Sequence, residues 1–366
     1  MSRSTRTITA GIVALATVLA LGGCTNGVAP GETERDPETA KIGLLLPDSV
    51  TARYESADRP YFEERVAELC PGCTVLYANA DGDVAKQQQQ AESMLTQGVS
   101  VLVLDPYDGV AAAAIVGLAT NRGVPVISYD RLIASEHLAY YISFDNELVG
   151  RLQASALVDE LAARGVDPDD GGILMVNGSP TDNNASEFKR GAHAIIDASG
   201  YHVLAEFDTP GWDPAQAQDW VSGQITQFGS EIIGVYAAND PTAGGAIAAL
   251  KAAGVSPLPP VTGQDAELAG LQRLLTGDQF MTVYKAIRPE AYRAAELAID
   301  LIHDRRPPGA VSVAVGDARV PSFLLEPLAV TRDQIASVVI DDGFFTLEQL
   351  CTPDYAASCA AAGLTS

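Results

Sequence analysis

An acid and a guanidinium stand side by side in Tyr129-Asp130-Arg131, directly after the apolar segment 123–128. This segment is rich in β-branched residues, which is typical of a parallel strand that is covered on both faces. Ligands of open parallel sheets collect beyond the carboxyl ends of the strands. A carboxylate there supplies hydrogen-bond acceptors, and a guanidinium supplies a planar fork of donors. We therefore expect Asp130 and Arg131 to bind a small polar molecule; a simple ion pair at the end of a strand is the alternative.

Comparable polar and aromatic residues lie near the ends of other apolar segments. In chain order they are Arg53, Tyr54, Asp182, Asn184, Trp212, Asn239, Asp265 and Lys285. Each of them alone has a structural explanation, because a tryptophan can belong to the core and an aspartate or asparagine can cap a helix or form a turn. That explanation is poor for the set as a whole, since most of its members would have to be incidental. We therefore treat the set as a candidate binding site.

The charges of this set indicate the class of ligand. Together with Asp130 and Arg131, the set contains three acidic and three basic side chains. An anionic ligand would favour an excess of cations and donors, and a cationic ligand would favour carboxylates with an aromatic cage. Balanced charges with amides suit a neutral molecule with many hydroxyl groups, whose apolar faces Tyr54 and Trp212 would cover. These properties describe a sugar.

The apolar segments alternate with helical patterns in two series. In the first series, strands are predicted at 41–47, 74–78, 99–104 and 123–129, with helices at 59–69, 83–96 and 109–122. In the second series, helices are predicted at 147–163, 185–198, 214–227, 242–253 and 267–275, with strands at 173–176, 202–207, 232–237, 260–263 and 281–284. Repeated β–α units indicate parallel, doubly wound sheets. The predicted fold class is therefore α/β, with two doubly wound parallel-sheet lobes joined by a multi-strand hinge.

The end of the second series determines the expected domain boundaries. A helix at 288–304 and a strand at 322–325 follow without β–α units of their own, so we assign them to the two lobes. We expect an N-terminal lobe of residues 41–145 plus 287–321 and a C-terminal lobe of residues 146–286 plus 322–345. The chain then crosses between the lobes more than once, and such crossings form a hinge that closes a cleft on a ligand.

The start of the chain has the pattern of an export signal. Arg3 and Arg6 precede an apolar stretch at 8–21 that is too short for a comfortable membrane span. Leu21-Gly22-Gly23-Cys24 resembles a bacterial lipobox, which implies a lipoprotein signal peptide at 1–24 and a lipid on Cys24. An ordinary signal peptide with an incidental cysteine is the alternative. Residues 25–40 are polar and contain Gly and Pro, so we expect a flexible tether.

The net charge of −24 in 366 residues excludes some classes of partner. Nucleic-acid binding requires clustered Lys and Arg, and anionic lipid surfaces repel an acidic protein. We therefore expect no nucleic-acid partner and attachment to a membrane only through the lipid, either at the outer face of the cell membrane or in a periplasm. The length is too great for one typical core, which agrees with two lobes. We expect the protein to be a monomer.

The remaining cysteines form two close pairs, Cys70 with Cys73 and Cys351 with Cys359. Outside the cytoplasm both pairs are candidates for local disulfide bonds. The first pair superficially matches a redox motif, but a thioredoxin-like site needs the pair at the start of a helix, whereas 61–69 predicts a helix that ends at the cysteines. A structural role is therefore favoured. Cys359 lies in an Ala-rich tail at 346–366, and a free thiol or other pairings stay open.

Signals of catalysis are weak. The sequence has no Gly-rich phosphate loop and no nucleophile elbow, and His137, His193, His202 and His303 lack metal-ligand spacing. Paired acids such as Asp341-Asp342 fit a turn better than acid–base chemistry. We therefore predict a protein that is not an enzyme and holds no cofactor and no metal. The alternatives are a chemotactic or signalling sugar receptor, a nucleoside receptor, an enzyme acting on sugars, and a sugar-responsive repressor, which would need a basic DNA-binding head.

Several ordered motifs resemble one known family. They are YDR at 129–131, YISFDNELVG at 141–150, GSPTDNNA at 178–185, NDPTAGGAI at 239–247, GQDAELAG at 263–270 and MTVYK at 281–285. Over roughly 41–344 the chain is similar to the D-xylose-binding proteins, which are type I periplasmic binding proteins of ABC importers. The resemblance implies two lobes with three interlobe strands, an ABC importer permease as partner, and a monosaccharide held between two aromatic side chains.

The same resemblance assigns ligand residues by position. Those that match are Asp130, Arg131, Asp182, Asn184, Trp212, Asn239, Asp265 and Lys285, and Arg53 matches after a loop that is one residue longer than in the family. Tyr54 stands where the family has tryptophan, and its smaller ring with a hydroxyl changes the stacking wall. The segment 345–366 and both cysteine pairs are not part of the resemblance.

Overall fold

The computed structural model describes residues 36–364, where strands and helices alternate as the two predicted series require. The signal peptide at 1–24, Cys24 and most of the expected tether lie outside the described residues. The strands are β1 (Lys41–Leu46), β2 (Thr74–Asn79), β3 (Val101–Leu104), β4 (Val126–Tyr129), β5 (Tyr140–Phe144), β6 (Gly172–Asn177), β7 (Val203–Asp208), β8 (Ile232–Ala237), β9 (Met281–Tyr284), β10 (Val311–Val315), β11 (Ala318–Leu325) and β12 (Leu328–Thr331). The α-helices are α1 (Arg59–Leu69), α2 (Val84–Thr96), α3 (Ala113–Thr120), α4 (Asn146–Ala163), α5 (Asn183–Ser199), α6 (Pro214–Phe228), α7 (Asp240–Ala252), α8 (Leu268–Thr276), α9 (Ile287–Ile302), α10 (Leu347–Leu350) and α11 (Ala356–Ala361).

The first lobe is built on a seven-stranded sheet in the order β10-β11-β5-β4-β3-β1-β2. Neighbouring strands are parallel except in the hairpin of β10 and β11. Side chains alternate between the two faces along β1, so Ile42 and Leu44 pack with α1 and α9, and Leu45 packs with α2 and α3. Both faces of the central strands are covered, which explains their continuous apolar sequences.

The second lobe contains a three-stranded parallel sheet in the order β7-β6-β8 and an antiparallel pair of β9 and β12. The segment 260–264 lies between these two parts. Backbone hydrogen bonds connect it to β8 at 2.9 Å (Val235 N to Pro260 O) and to β9 at 3.0 Å (Val283 N to Gly263 O). The strand predicted at 260–263 is therefore present in position but forms only one ladder bridge, at Val261.

The chain passes between the lobes after β5, after β9 and after β11. The segment 322–325, predicted from the sequence to belong to the second lobe, instead belongs to the first, so that prediction is wrong. Ser322 to Leu325 pairs in parallel with Tyr141 to Phe144 in the sheet of the first lobe. The reason is the hairpin with β10, a strand that the sequence analysis does not predict. The third crossing therefore falls between Leu325 and Leu328.

The C-terminal segment packs on the second lobe. Leu350 and Leu364 are buried in one cluster with Leu271 and Leu274 of α8. The tail that the sequence analysis sets apart at 346–366 is therefore, up to residue 364, a component of the packing of this lobe. Its apolar residues are too few for a core of their own, so they gain burial only by covering α8.

Both cysteine pairs form disulfide bonds, Cys70 with Cys73 and Cys351 with Cys359. Cys70 is the residue that ends α1. The first pair thus follows a helix instead of starting one, as the sequence predicts and unlike a thioredoxin-like site. Cys351 follows α10 and Cys359 lies in α11, so the second bond ties the two short helices together.

Candidate ligand-binding site

A small cavity lies between the two lobes. Its lining consists of Thr51, Arg53, Tyr54, Asp130, Arg131, Asp182, Asn184, Phe188, Trp212, Asn239, Gln264, Asp265 and Lys285. The structure thus brings all ten residues of the candidate set together. Thr51, Phe188 and Gln264 also line the cavity and were not predicted from the sequence.

Several lining residues follow strands directly or cap helices. Asp130 follows β4 and Lys285 follows β9. Asp182 is the N-cap of α5 and accepts a hydrogen bond from Asn184 N at 2.9 Å, and Asn239 is the N-cap of α7. The capping roles considered as an alternative are therefore real, and they hold these side chains at the cavity. Capping and ligand binding are compatible, because the second oxygen of Asp182 faces away from the helix and accepts from Trp212 Nε1 at 3.2 Å.

Three lining residues have a left-handed backbone. The φ angles are 52° for Asp130, 58° for Trp212 and 89° for Asp265. This region is uncommon for residues other than glycine and is an outlier for a bulky one such as tryptophan. Strained conformations of this kind cluster at functional sites, where the surrounding structure maintains them. Asp81, Ala266 and Asp304, outside the lining, also have positive φ angles, so the backbone supports the assignment of the cavity together with its side chains.

The position of Trp212 depends on a glycine. A Cβ atom at Gly178 would lie 1.9 Å from Cη2 of the indole. The ring therefore rests directly on the backbone of Gly178, and any side chain there would displace it. The indole also meets Phe188 edge-on, with ring centres 6.3 Å apart. These two rings form the apolar wall of the second lobe.

Arg53 precedes a π-helical turn, Tyr54–Asp58. Its Nε donates to Oδ2 and its Nη2 donates to Oδ1 of Asp58, both at 3.0 Å. The same guanidinium lies 3.2 Å from Asp130 and 3.6 Å from Asp265. One buried arginine thus faces an acid of its own turn, an acid of the first-lobe wall and an acid of the second lobe.

Arg131 is surrounded by acids in a different way. Its Nε lies 3.1 Å from Oδ2 of Asp182 on the second lobe, and its Nη2 donates to Oδ2 of Asp48 at 3.3 Å. Asp105 lies 3.8 Å from Nε and makes no hydrogen bond with its carboxyl oxygens. The ring of Tyr54 lies between the two arginines, with its centre 5.6 Å from Arg131 and 5.1 Å from Arg53. Tyr54 is therefore a second aromatic wall, opposed to the second lobe and flanked by cations.

Lys285 completes the charged lining. Its Nζ lies 3.0 Å from Asp265 and 3.8 Å from Asp130. It also lies 5.5 Å from the ring centre of Phe144 and 6.0 Å from that of Phe188, within the range of cation–π attraction. The ammonium is therefore fixed between acids of both lobes.

The two lobes are closed on each other. Hydrogen bonds that join them directly run from Asn184 Nδ2 to Asp130 O (3.0 Å), from Gly109 N to Thr181 O (3.1 Å) and from Ala52 N to Glu267 Oε1 (3.2 Å). The ion pairs of the arginines and Lys285 add further links. A ligand in the cavity would therefore contact polar groups and aromatic rings that both lobes supply.

The buried acids in and behind the cavity differ in the direction of their pKa shifts. Burial acts to raise the pKa of Asp130, but the positive charges of Arg53 and Lys285 outweigh it, so this pKa lies below its usual value. Burial raises the pKa of Glu290, behind Arg53, well above its usual value, and the charge of Asp130 adds to this. Burial also raises the pKa of Asp105. Burial likewise raises the pKa of Asp182, so among these acids the pKa is lowered only at Asp130, where two cations act on one carboxylate.

This arrangement offers hydrogen-bond donors and acceptors without an excess of either charge. Hydroxyl groups of a neutral ligand would find a charged partner for both their hydrogens and their lone pairs. Within residues 36–364 no group of three or more His, Cys, Asp or Glu side chains is arranged to hold a metal ion. The geometry is that of a binding site for an uncharged polar molecule.

Two doubly wound lobes, three crossings and an enclosed polar cavity define a protein that binds a small ligand by closing over it. The fold is the type I periplasmic binding protein fold. The chain belongs to the periplasmic binding protein family, since the family model described as "Periplasmic binding protein domain" matches residues 42–305.

Relatives extend the similarity to most of the chain. The D-xylose-binding periplasmic protein of Escherichia coli is 38% identical over 314 residues, which cover 85% of this chain and 92% of the relative. The multiple sugar-binding periplasmic receptor of Rhizobium radiobacter is 31% identical, over 84% and 92% of the two chains. A solved ABC transporter solute-binding protein from Clostridium phytofermentans with bound β-D-glucose is 29% identical and superposes with a TM-score of 0.77, over 85% of this chain and 99% of the other. A carbohydrate transporter solute-binding protein from Chloroflexus aurantiacus in complex with D-glucose is 28% identical. It superposes with a TM-score of 0.77, over 85% of this chain and 98% of the other.

Proposed function

We propose that this protein captures a neutral monosaccharide, a xylose-like pentose or a hexose, between its lobes outside the cytoplasm. It then delivers the sugar to the permease subunits of an ABC importer. The ligand residues in this proposal are the ten residues of the candidate set, to which we add Thr51, Phe188 and Gln264. The protein acts as a binding protein, without catalysis.

The observation that carries the proposal is the composition of the closed cavity. Three basic and three acidic side chains line it, together with amides and with aromatic rings on both lobes. A sugar hydroxyl donates one hydrogen bond and accepts others, so it requires such a mixture. Sugar C–H faces pack on aromatic rings, which Tyr54 and Trp212 supply from opposite walls. The acids and bases of the lining already pair with one another, so the cavity offers no uncompensated charge to an anion or a cation.

The relatives support a monosaccharide. Their names refer to D-xylose and to multiple sugars, and the two solved structures hold glucose. The wall at Tyr54 bears on the choice of sugar. Its hydroxyl lies 3.4 Å from Oδ2 of Asp130 and thus takes part in the polar network, so the ring offers less apolar surface than an indole in the same place. We therefore propose D-xylose and D-glucose as the first candidates.

The proposed location is extracytoplasmic, with a lipid on Cys24 that holds the mature protein at a membrane. Residues 1–24 support it by their signal-peptide pattern, and relatives are named periplasmic. In the part of the chain that the structure describes, 36–364, none of the helices combines the length and apolarity needed to traverse a bilayer. We propose that the protein works as a monomer, since one chain supplies both walls of the cavity.

Calorimetry on the mature chain tests the proposal. We expect D-xylose, D-glucose or another neutral aldose to bind with a dissociation constant of micromolar or below. A panel of pentoses and hexoses, with sugar phosphates and amino sugars as charged controls, identifies the ligand and its epimers. Absence of binding by every neutral sugar would contradict the proposal. Turnover of glycosides or sugar phosphates in a parallel assay would favour an enzyme instead.

A further inference from the structure

Asp58 lies directly behind the cavity and does not belong to its lining. Its side chain is 1% exposed. It accepts two hydrogen bonds from Arg53, at 3.0 Å each, and a third from the hydroxyl of Tyr129 at 2.5 Å. Its carboxylate is thus committed on both oxygens to groups of the protein. We propose that Asp58 is a positioning residue that fixes the guanidinium of Arg53 for the sugar, and this inference rests on the proposed function.

The local backbone brings the two residues together. The turn Tyr54–Asp58 is π-helical, and Arg59 N donates to Tyr54 O, five residues earlier. Such a turn places residues i and i+5 on the same side, which is the separation of Arg53 and Asp58. The turn also places Tyr54 in the cavity wall. One short segment therefore supplies two lining residues and the support of one of them.

The hydrogen bonds to Asp58 constrain the guanidinium of Arg53, which lines the cavity. A bidentate carboxylate fixes both the direction and the plane of a guanidinium. Asp58 engages Nε and Nη2, which leaves Nη1 near the cavity acid Asp265, at 3.6 Å. Without the pairing, the long side chain would regain rotamer freedom that binding must then remove. Asp58 thereby preorganises a donor of the cavity.

The other acid behind Arg53 does not fill this role. Oε2 of Glu290 lies 3.7 Å from Nη2 of Arg53, and neither of its carboxyl oxygens makes a hydrogen bond. Tyr129, in contrast, is directed at Asp58, and burial raises the pKa of its phenol well above the usual value, so it stays a donor. The hydrogen bonds therefore single out Asp58 as the group that holds the guanidinium.

The test is Asp58→Asn, which keeps the shape but can accept only one of the two hydrogen bonds from Arg53. Calorimetry with D-xylose and D-glucose on the wild type first establishes the proposed function. We expect Asp58→Asn to bind the better of these sugars about 10- to 100-fold more weakly, as for the loss of a charged hydrogen-bonded pair. Ser56→Ala, on the exposed side of the same turn, is the control and should bind like the wild type.

A second readout separates positioning from a general structural role. Across monodeoxy analogues of the sugar, Asp58→Asn should reduce the same hydroxyl preference that Arg53→Lys reduces. The side-chain Nε–H resonance of Arg53 in ¹⁵N NMR of the sugar-free protein should be sharp in the wild type and broadened in Asp58→Asn. Tyr129→Phe, which removes one hydrogen bond and no charge, should show the same analogue pattern with a loss of about two- to fivefold.

The outcomes are distinct. A folded Asp58→Asn that binds like the wild type overturns the inference and leaves the proposed function intact. If Asp58→Asn does not fold, Tyr129→Phe decides, and wild-type affinity or a different analogue pattern overturns the inference. If the wild type binds no neutral sugar, the proposed function fails and the inference fails with it.

Discussion

Arg53 and Arg131 are both buried and both surrounded by carboxylates, but they obtain their partners from different parts of the chain. Arg53 makes its shortest contacts with Asp58, five residues away and in the same lobe. Arg131 makes its shortest contact, 3.1 Å, with Asp182 on the opposite lobe. The shortest contacts of the first arginine thus lie within one lobe, whereas the shortest contact of the second joins the two lobes.

This difference separates two tasks that one cavity must perform. A preorganised cation contributes affinity because no ordering is needed at the moment of binding. A cation that pairs with an acid of the other lobe links binding to closure, because that ion pair can form only in the closed state. Changes at the two arginines should therefore have different signatures, and the following changes break or sharpen the contrast, from the largest expected effect to the smallest.

Asp130 lies between the cations of the two lobes, so its charge supports both tasks. We expect Asp130→Asn to weaken sugar binding by more than about 100-fold, because at least two charged hydrogen-bonding partners lose their anion. Asparagine tolerates the left-handed φ of 52° at this position, so the backbone is preserved. Calorimetry gives the affinity, and a melting curve shows whether the fold persists. A collapsed melting transition would indicate that the residue is structural.

The contrast itself is tested by Arg131→Lys and Arg53→Lys. A lysine cannot form a planar fork, so we expect both variants to lose about 10- to 100-fold in affinity. Small-angle scattering should then distinguish them. At saturating sugar, Arg53→Lys should contract like the wild type, and Arg131→Lys should contract less. Equal contraction of the two variants would remove the distinction.

Trp212 tests the aromatic wall next to Arg131, because its indole donates to the same Asp182. We expect Trp212→Ala to weaken binding by about 1–3 kcal/mol, the range of a lost aromatic contact and its burial. Trp220→Ala is the matched control. Trp220 stacks on Phe207, with ring centres 5.5 Å apart, and is not part of the cavity lining. Unchanged affinity of Trp212→Ala would remove this residue from the site.

Glu267 gives the smallest effect and concerns the loop that carries Arg53, since it accepts from Ala52 N across the lobes. Burial, with the charges of Asp240 and Asp265, raises the pKa of Glu267 to about 8. An acid whose pKa is raised by folding contributes stability that is fully present below its usual pKa of about 4.3 and is lost as the pH rises through the folded value. We therefore expect the Tm of the wild type to fall by a few degrees relative to Glu267→Gln between about pH 4 and pH 8.

Melting curves of both proteins across that range check this expectation. The difference in Tm should stop growing above about pH 8, where Glu267 is ionised in both states. Glu326→Gln, outside the cavity lining, serves as the control for removal of one carboxylate. A constant difference in Tm over the whole range would show that Glu267 does not titrate on unfolding in this window.

The site was predictable where chemistry and position coincide. Asp130, Asp182 and Lys285 are polar residues at the ends of apolar segments, and the topology of parallel sheets brings such ends together. Phe188 was missed because an apolar residue within an amphipathic helix indicates core packing. Gln264 was missed although it stands next to Asp265, because one amide carries no pattern. A signal did exist for Glu290, which follows Ile287 and precedes Ala291 on the buried face of α9, where an acid is unexpected.

The fold was predictable where contacts are local. The β–α units of both lobes follow from periodicity and turns within about 30 residues. Which lobe contains the segment 322–325 depends on its pairing with β5, far away along the chain, and on the unpredicted hairpin with β10. The packing of Leu350 and Leu364 on α8 is likewise a tertiary effect. No local pattern records which of two similar lobes a late segment joins.

The late position of β11 has a consequence for the synthesis of the protein. The sheet of the first lobe receives this strand, and the helix α9 that covers one of its faces, only after the whole β–α series of the second lobe has been made. A chain that leaves a ribosome or an export channel from its N-terminus therefore cannot complete its first lobe early. It finishes that lobe only when residue 325 has emerged, so the native sheet of the first lobe forms late in the synthesis of the chain.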